Sequence, residues 1–366
     1  MSRVVVGLSG GVDSAVAARL LLDQGHDVSA VFMKNWDEDD AADYCPAAED
    51  LGDARDIAAR LGIDLQTVSF SAEYWDRVFR HFLREYEAGR TPSPDIVCNR
   101  EIKFRAFLDH ATGLGADYIA TGHYARIRRE PDTALLRGID ENKDQTYFLH
   151  TLTRAQLARS LFPLGTMTKD EVRALAHRCG FPNHDKKDST GICFIGERRF
   201  NEFLARYVDK RPGEIRTLDN RVIGRHEGVV FYTIGQRQGL GIGGLRDSSE
   251  DPWYVAGKDT AANVLYVVQG GNHPALYRQG LLASQLHWIG AAAPGVPFTC
   301  QARIRHRQPL QSCTITALEN DHCTVQFDTA QRAVAAGQSV VFYTGEVCLG
   351  GGIIETGLNG NDIEQQ

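Results

Sequence analysis

Residues 4–14, with the sequence VVVGLSGGVDS, decide the fold of this chain. The apolar run at residues 4–8 predicts a buried parallel strand, and the sequence that follows predicts a helix over residues 14–24. Between them, Gly10 and Gly11 let the backbone fold tightly and turn several N–H groups toward a phosphate, where the helix dipole favours negative charge. A tight turn capped by an Asp or Ser side chain is the structural alternative. The chain has no G-x-x-x-x-G-K-[ST] element, which disfavours a Walker-type kinase or GTPase.

Strands and helices alternate after this unit. Strands are predicted at 28–33, 63–70 and 117–121, and helices at 48–61, 71–88 and 100–112. A capping box at residues 168–171 opens a further helix that extends to about residue 178. This alternation predicts an α/β class, with a Rossmann-like parallel sheet covered by helices on both faces, up to about residue 208.

The residue pattern of the chain changes from α/β to β-rich after Pro212 and Gly213. Short β-prone runs punctuated by glycine follow, and from about residue 275 further short strands recur at the spacing of a small barrel or sandwich. We therefore predict a small β-rich middle domain and a C-terminal β-barrel. The predicted division is 1–208, 209–274 and 275–357, with a polar tail at 358–366.

Bulk properties narrow the function classes. The chain has 366 residues, a formal net charge of −7 and eight cysteines, with no C-x-x-C pair and no Cys/His grouping at zinc spacing. A structural metal site is therefore not expected. The absence of a signal peptide and of a long apolar run predicts a cytoplasmic protein that does not enter a membrane. The negative charge argues against nucleic acid as a partner, although net charge does not describe local patches.

Two cysteines lie in segments that could support chemistry. Cys98 follows a proline-rich loop and precedes Asn99, a predicted helix N-cap, where a thiolate is favoured and nucleophilic. Cys193 lies in a short glycine-containing segment after the charged residues 185–188. For each cysteine alone, a buried structural thiol is the alternative. The acidic run at residues 37–40 fits either a magnesium site or a solvated loop.

Three arginines alternate along a predicted strand near the C-terminal end. Arg303, Arg305 and Arg307 would share one face of that strand, because side chains alternate along a strand. Such a stripe could contact phosphates, and an ordinary solvated barrel face is the alternative.

Six further segments accompany the SGGVDS hexapeptide: Met33–Trp36, Thr91–Asn99, Ala120–Tyr124, Lys143–Gln145, Ser189–Phe194 and Gly345–Gly351. In this order and spacing the chain resembles the tRNA-specific 2-thiouridylases, a family of PP-loop ATPases, over nearly its whole length. The resemblance implies cleavage of ATP between the α and β phosphates and adenylation of a carbonyl oxygen. It implies ATP, with Mg²⁺, as the cofactor.

The resemblance also implies roles for individual residues. Cys193 would carry a persulfide, Cys98 would release the sulfur or attack the base, and turnover would leave a disulfide between them. Asp95 resembles the acid/base carboxylate near the target uracil, with helix capping as the alternative. The implied ATP-binding residues are Gly7, Leu8, Ser9, Gly10, Gly11, Val12, Asp13, Ser14, Met33 and Gly122. The implied tRNA-binding residues are Ser93, Pro94, Asp95, His123, Lys143, Asp144, Gln145, Arg305, His306 and Gln338.

Two positions depart from the family pattern. Ser93 stands where an asparagine is expected, and His306 stands where a tyrosine is more usual, which weakens stacking on a base without abolishing it.

The implied partners are tRNA and a persulfide donor, either a cysteine desulfurase or a sulfur-relay protein. The implied target is the wobble uridine of the anticodon loop, in the tRNAs for Lys, Glu and Gln. That base must be extruded into a pocket, because its C2 is not accessible inside the stacked loop. A PP-loop ligase or amidotransferase and a non-catalytic tRNA-binding module are the other two hypotheses. No glutaminase domain supports the first, and the intact hexapeptide argues against the second.

Overall fold

A five-stranded parallel sheet forms the first part of the chain, in a computed structural model that describes residues 1–36, 46–187, 200–243, 250–290 and 292–363. The strand order is β3-β2-β1-β4-β7, and every pairing is parallel. The strands are β1 (Arg3–Gly7), β2 (Asp27–Lys34), β3 (Leu65–Ser69), β4 (Tyr118–Ala120) and β7 (Ser160–Leu161). The predicted parallel sheet is confirmed.

Helices cover both faces of this sheet. They are α1 (Val12–Asp23), α2 (Pro46–Leu61), α3 (Ser71–Tyr74), α4 (Arg80–Glu87), α5 (Pro94–Cys98), α6 (Phe107–Gly113), α7 (Thr146–Leu149), α8 (Arg154–Ala158), α9 (Lys169–Arg178) and α10 (Phe200–Leu204). On one face, Val16 of α1 packs in a cluster with Ile57 and Val172. On the other, Val5 of β1 packs in a cluster with Phe79 and Phe107. The predicted capping box of α9 is present.

The helix that carries Cys98 begins earlier than the sequence predicts. Single π-helical stretches, Trp75–Phe79 and Asn99–Ala106, join α3 to α4 and α5 to α6. The helix therefore begins at Pro94, after the extended residue Ser93, and continues through Asn99 without a break. The prediction of Asn99 as an N-cap is wrong, because proline at the first helical position already starts the helix.

The middle part of the chain forms a four-stranded sheet with the order β10-β11-β8-β9. Its strands are β8 (Gly213–Arg216), β9 (Val222–His226), β10 (Trp253–Asp259) and β11 (Val264–Gln269), with a 3₁₀ turn at Val229–Phe231. A further 3₁₀ turn, Pro274–Leu276, leads into the last part. The β-rich character predicted for the middle segment is confirmed.

The last part is a closed six-stranded barrel. Its strands are β12 (Tyr277–Trp288), β13 (Phe298–Arg303), β14 (Gln311–Glu319), β15 (His322–Arg332), β16 (Ser339–Thr344) and β17 (Val347–Leu358), and closure comes from pairing of β12 with β17. At the predicted start of the polar tail, Leu358 ends β17 and is buried, and Gly360–Ile363 forms α11.

A hairpin from the first part of the chain extends the barrel sheet. It consists of β5 (Ala125–Arg128) and β6 (Ala134–Arg137), and β6 pairs with β17. A 3₁₀ turn at Pro163–Thr166 packs near β5. Among the residues that the structure describes, no helix combines the length and apolar character needed to cross a membrane.

Candidate nucleotide and tRNA site

The phosphate loop lies at the carboxyl end of β1, the edge at which open α/β sheets bind ligands. Gly10 has φ +76°, and a Cβ there would clash with the backbone carbonyl of Asp50. Gly122 follows the neighbouring strand β4, and its Cβ would lie 2.8 Å from the nitrogen of Ser14. The two glycines are therefore required where backbone meets backbone. Leu8 and Val12 anchor the loop in the core.

Two serines shape the loop from inside. The Ser9 amide donates to the Ser14 hydroxyl at 3.1 Å, and that hydroxyl donates to the Gly11 carbonyl at 3.0 Å. The Gly11 amide makes a long, 3.4 Å contact to the Ser9 hydroxyl. Helix α1 starts at Val12, and its N-cap residue, Gly11, makes no side-chain cap, so the capped-turn alternative is not what the structure contains. Uncapped N–H groups at a helix N-terminus suit a phosphate.

Asp13 in the loop is held by two residues that the sequence did not single out. The Lys169 ammonium donates to both of its carboxylate oxygens, at 2.8 and 2.9 Å, and the Tyr124 hydroxyl donates to one of them at 2.8 Å. The Lys169 side chain is only 9% exposed. A signal was available, because a lysine in the first turn of a helix opposes the dipole and calls for a local partner. This cation lies beside the place where phosphates would bind.

Met33, one of the predicted ATP-binding residues, packs beside the strand residue that precedes the loop. It is buried at the end of β2, and its Cε would be 3.0 Å from a Cβ on Gly7. The methionine thus fills the space beside Gly7, and its contact with adenine stays a prediction.

Asp95 and Cys98 occupy one face of the helix that begins at Pro94. They are three residues apart in α5, and such a spacing places side chains on the same helix face. Asp95 is half-buried, whereas Cys98 is fully buried in the same apolar cluster as Ile102. Cys193 and its segment Ser189–Phe194 lie outside the described residues, as does the acidic run at 37–40.

The loop before Ser93 is a meeting point of all three parts of the chain. The Thr91 amide donates to the Ala336 carbonyl at 2.9 Å, and Gln338 Nε2 donates to the Thr91 carbonyl at 2.6 Å. The hydroxyls of Thr91 and Thr233 are 3.1 Å apart. Gln338 thus contacts the loop that carries Ser93 from the barrel, at Thr91, two residues before Ser93.

His306 reaches the same region from another barrel loop. Its ring lies 4.4 Å from that of Phe148, whose carbonyl accepts a hydrogen bond from Asn99 at 3.1 Å. Burial lowers the pKa of His306 to about 4, despite the nearby carboxylate of Asp144. The imidazole is therefore neutral at pH 7 and packs as an aromatic ring. Lys143 is half-buried nearby.

The predicted arginine stripe does not exist. Strand β13 ends at Arg303, so the three arginines do not continue along one strand. Arg303 is buried and donates to Asp144 Oδ2 at 2.7 Å, whereas Arg307 is exposed. Asp144 is itself buried, which leaves its carboxylate no surface for a tRNA contact. Arg305 is half-buried and donates to the carbonyls of Ile234 and Ala333 at 3.2 and 2.8 Å.

Two other predicted tRNA residues hold the chain after β4. His123 is buried, its Nδ1 is 2.8 Å from the Thr121 hydroxyl, and burial sets its pKa well below the usual value. Gln145 Oε1 accepts from the Tyr124 amide at 2.9 Å, and the Gln145 amide donates to the Tyr124 carbonyl at 3.0 Å. Direct tRNA contact by His123 would require it to become exposed.

These features define a class: an α/β nucleotide-binding domain with a phosphate loop after its first strand, followed by two β domains. Residues 2–197 match a family model described as the tRNA methyl transferase HUP domain. Residues 201–269 match the tRNA methyl transferase PRC-barrel domain, and residues 278–354 match the aminomethyltransferase beta-barrel domain.

Two relatives narrow this class to one family. A protein of Marinobacter nauticus, named tRNA-specific 2-thiouridylase MnmA, is 58% identical over 99% of this chain and 93% of its own. A Methylococcus capsulatus protein of the same name is 60% identical over 98% of this chain and 97% of its own. The chain belongs to the tRNA-specific 2-thiouridylase family. Membership of this ATP-utilising PP-loop family implies ATP binding.

A solved structure overlaps more loosely. The crystal structure of a 4-thiouridine synthetase–RNA complex with bound ATP is 18% identical, with a TM-score of 0.33, over 56% of this chain and 50% of that one.

Proposed function

We propose that the protein is an ATP-dependent tRNA-uridine 2-sulfurtransferase that forms 2-thiouridine, AMP and pyrophosphate. The observation that carries the proposal is the uncapped phosphate loop, with Gly10 in a left-handed conformation and Asp13 held by Lys169. A loop with free helix-terminal N–H groups binds phosphates without a Walker lysine. The names of relatives at 58–60% identity support the choice of tRNA uridine as the substrate.

The sulfur chemistry is proposed on Cys98, Cys193 and Asp95. The C2 carbonyl oxygen of the uridine attacks the α phosphate of ATP, and pyrophosphate leaves. The terminal sulfur of a Cys193 persulfide then attacks C2 and expels AMP. The Cys98 thiolate attacks the Cys193 sulfur and breaks the S–S bond, which leaves C2=S on the base and a disulfide between the cysteines. Asp95, on the helix face of Cys98, exchanges the proton at the base.

The proposed target is the extruded wobble uridine of tRNA Lys, Glu and Gln. Support comes from two barrel residues near the loop that carries Ser93: Gln338 donates to the Thr91 carbonyl, and His306 packs on Phe148, whose carbonyl Asn99 holds. Arg305, from the same barrel loop as His306, donates to the carbonyls of Ile234 and Ala333. The first, middle and last parts of the chain meet at Thr91. We propose that they form a local tRNA-binding surface there, although the net charge of the whole chain is −7. We assign activation to residues 1–208 and tRNA contact mainly to residues 275–357, with the segment 209–274 between them.

Mg²⁺ is proposed to arrive with ATP, held mainly by the phosphate oxygens. Over the described ranges, no group of three His, Cys, Asp or Glu side chains is placed to hold a metal ion. Asp13 is the carboxylate of the loop, and it forms an ion pair with Lys169. We propose that bound phosphates compete with Asp13 for the charge of Lys169. A cysteine desulfurase or relay protein in the cytoplasm is the proposed sulfur donor.

The test combines purified protein, unmodified tRNA, ATP and a persulfide donor, with 2-thiouridine, AMP and pyrophosphate measured together. We expect one AMP and one pyrophosphate per 2-thiouridine. An ammonia-transferring PP-loop enzyme would form AMP without 2-thiouridine, and a binding module would form neither. Either result would reject the proposal.

The cysteine roles are tested separately. Cys193→Ser should still release pyrophosphate but transfer no sulfur, since a hydroxyl cannot carry sulfane sulfur. Cys98→Ser should accept sulfur on Cys193 yet fail to complete turnover, and the wild type without reductant should contain a Cys98–Cys193 linkage. A built-in control exists, because the sulfurs of Cys300 and Cys313 lie 3.7 Å apart in the barrel. A Cys300–Cys313 linkage in the same non-reducing digest reports general oxidation, whereas a Cys98–Cys193 linkage that requires tRNA and ATP reports turnover.

A further inference from the structure

Asn183 connects the segment after α9 to the phosphate loop. Its Nδ2 donates to the Gly10 carbonyl at 2.8 Å, and the side chain is only 4% exposed. In a trans peptide the next N–H points away from the carbonyl, so the bond that fixes the Gly10 carbonyl also fixes the direction of the Gly11 N–H. Among the described residues, that N–H has the long, 3.4 Å contact to Ser9 as its hydrogen bond. Asn183 therefore sets the orientation of a donor that a phosphate would use.

Lys186 connects the same segment to helix α2. Its ammonium donates to Asp50 at 2.8 Å and to Asp53 at 2.5 Å. Burial opposes the charged amine, but the hydrogen bonds to the two carboxylates outweigh it and raise the pKa of Lys186. Arg173 of α9 holds the segment from the other side, by donating to the carbonyls of His184 and Lys186 at 3.3 and 3.1 Å.

The hydrogen bonds of Asn183 and of Lys186 both lead to Gly10. The Asp50 carbonyl packs directly against Gly10, the residue whose own carbonyl Asn183 holds. A shift of the loop on binding phosphate would therefore move Asp50 or Asn183. The segment after α9 would move with them, because Asn183 and Lys186 belong to it. Lys187, the residue after Lys186, is the last described residue of this segment and stands six positions before Cys193 in the sequence.

We propose that Asn183 and Lys186 are positioning residues that couple the phosphate loop to the segment leading to Cys193. The inference rests on the proposed function, because it concerns the same ATP loop and the same sulfur-carrying cysteine. Asn183 orients the phosphate donors, and Lys186 fixes the end of the described segment that precedes Cys193 in the sequence.

The first arm tests Asn183 in tRNA-dependent ATP–pyrophosphate exchange, which needs no sulfur. Asn183→Asp keeps the shape but replaces the N–H donor with an acceptor that faces the Gly10 carbonyl. We expect kcat/KM for ATP to fall about 10- to 100-fold, mainly through KM, as for the loss of a buried hydrogen bond. Asn183→Ala should also lower kcat/KM for ATP, but by less. It replaces Asn183→Asp in the test if the aspartate variant does not fold. An unchanged KM for ATP in the folded variants would overturn the role of Asn183.

The second arm compares Lys186→Met with Lys187→Met, a neighbouring lysine that is exposed. We expect Lys186→Met to retain most exchange activity but to form several-fold less 2-thiouridine per pyrophosphate released, while Lys187→Met stays at the wild-type ratio. Equal ratios in the two variants would overturn the coupling. If the wild type itself releases pyrophosphate without forming 2-thiouridine, the proposed function fails, and the exchange arm still decides the role of Asn183.

Discussion

Replacement of Arg303 by methionine should destabilise the barrel by about 3 kcal/mol. Its guanidinium and the Asp144 carboxylate are 5% and 0% exposed and lie 2.7 Å apart. Removal of one partner from a buried ion pair costs about 3–5 kcal/mol, because the other charge stays buried and uncompensated. The lower end applies here, because the Thr146 hydroxyl still donates to Asp144 and Arg137 Nε lies 3.7 Å away. In differential scanning fluorimetry this corresponds to a decrease in Tm of roughly 6–12 °C.

The matched control is Arg307→Met, which removes an exposed arginine four residues later and should change Tm by about 1 °C or less. A double-mutant cycle makes the reasoning stricter. Asp144→Asn with Arg303→Met should be less destabilising than the sum of the two single changes, by about 2 kcal/mol, because the double variant buries no unpaired charge. If Arg303→Met unfolds at the same temperature as Arg307→Met, the buried-pair argument is refuted.

Four further outcomes are expected. Arg305→Ala should weaken tRNA binding and make the slope of log K for tRNA against log[salt] shallower by about one phosphate contact. A lower affinity at an unchanged slope would mean that Arg305 does not contact a phosphate and only holds the Ile234 and Ala333 carbonyls. Asp13→Ala should abolish AMP and pyrophosphate formation with tRNA binding retained, and ADP as a product would contradict the PP-loop chemistry. Burial lowers the pKa of His150 to about 4, so the unfolded chain binds the proton first as pH falls from 6.5 to 4. In urea titrations, the stability lost over that window should be smaller by up to about 3 kcal/mol in His150→Asn than in the wild type, and unchanged in the exposed-site control His322→Asn, because His306 and His123 contribute equally in all three proteins. Cys98 should be alkylated by iodoacetamide slowly in the free protein and faster with tRNA and ATP bound, and fast alkylation without ligands would contradict its burial.

The phosphate loop could be predicted because its determinants are local. The strand, the two glycines and the helix occupy residues 4–14, and the order of apolar and polar residues there is enough to place them. The Lys169 contact to Asp13 could not be derived in this way, since 156 residues separate the two. Its only sequence signal was a cation in the first turn of a helix.

For the barrel arginines, a local pattern predicted a feature that the structure does not contain. The spacing of Arg303, Arg305 and Arg307 predicts one continuous strand, but the strand ends at Arg303 and the chain turns there. Arg303 then faces inward because a carboxylate from residue 144 is available there, and pairing across 159 positions leaves no periodic trace in the sequence. The helix start at Pro94 was missed for a different reason, because Asn99 offered a second plausible start five residues later.

The hairpin of β5 and β6 makes the barrel depend on a distant stretch of the gene. Leu135 and Leu136 pair with Cys348 and Val347, so the outer strand of the barrel sheet is encoded before the middle segment. A crossover that exchanged residues 275–358 between two relatives would place a foreign β17 against the original hairpin. Functional recombinants should therefore inherit residues 125–137 and the barrel from the same parent, even though about 140 residues lie between them.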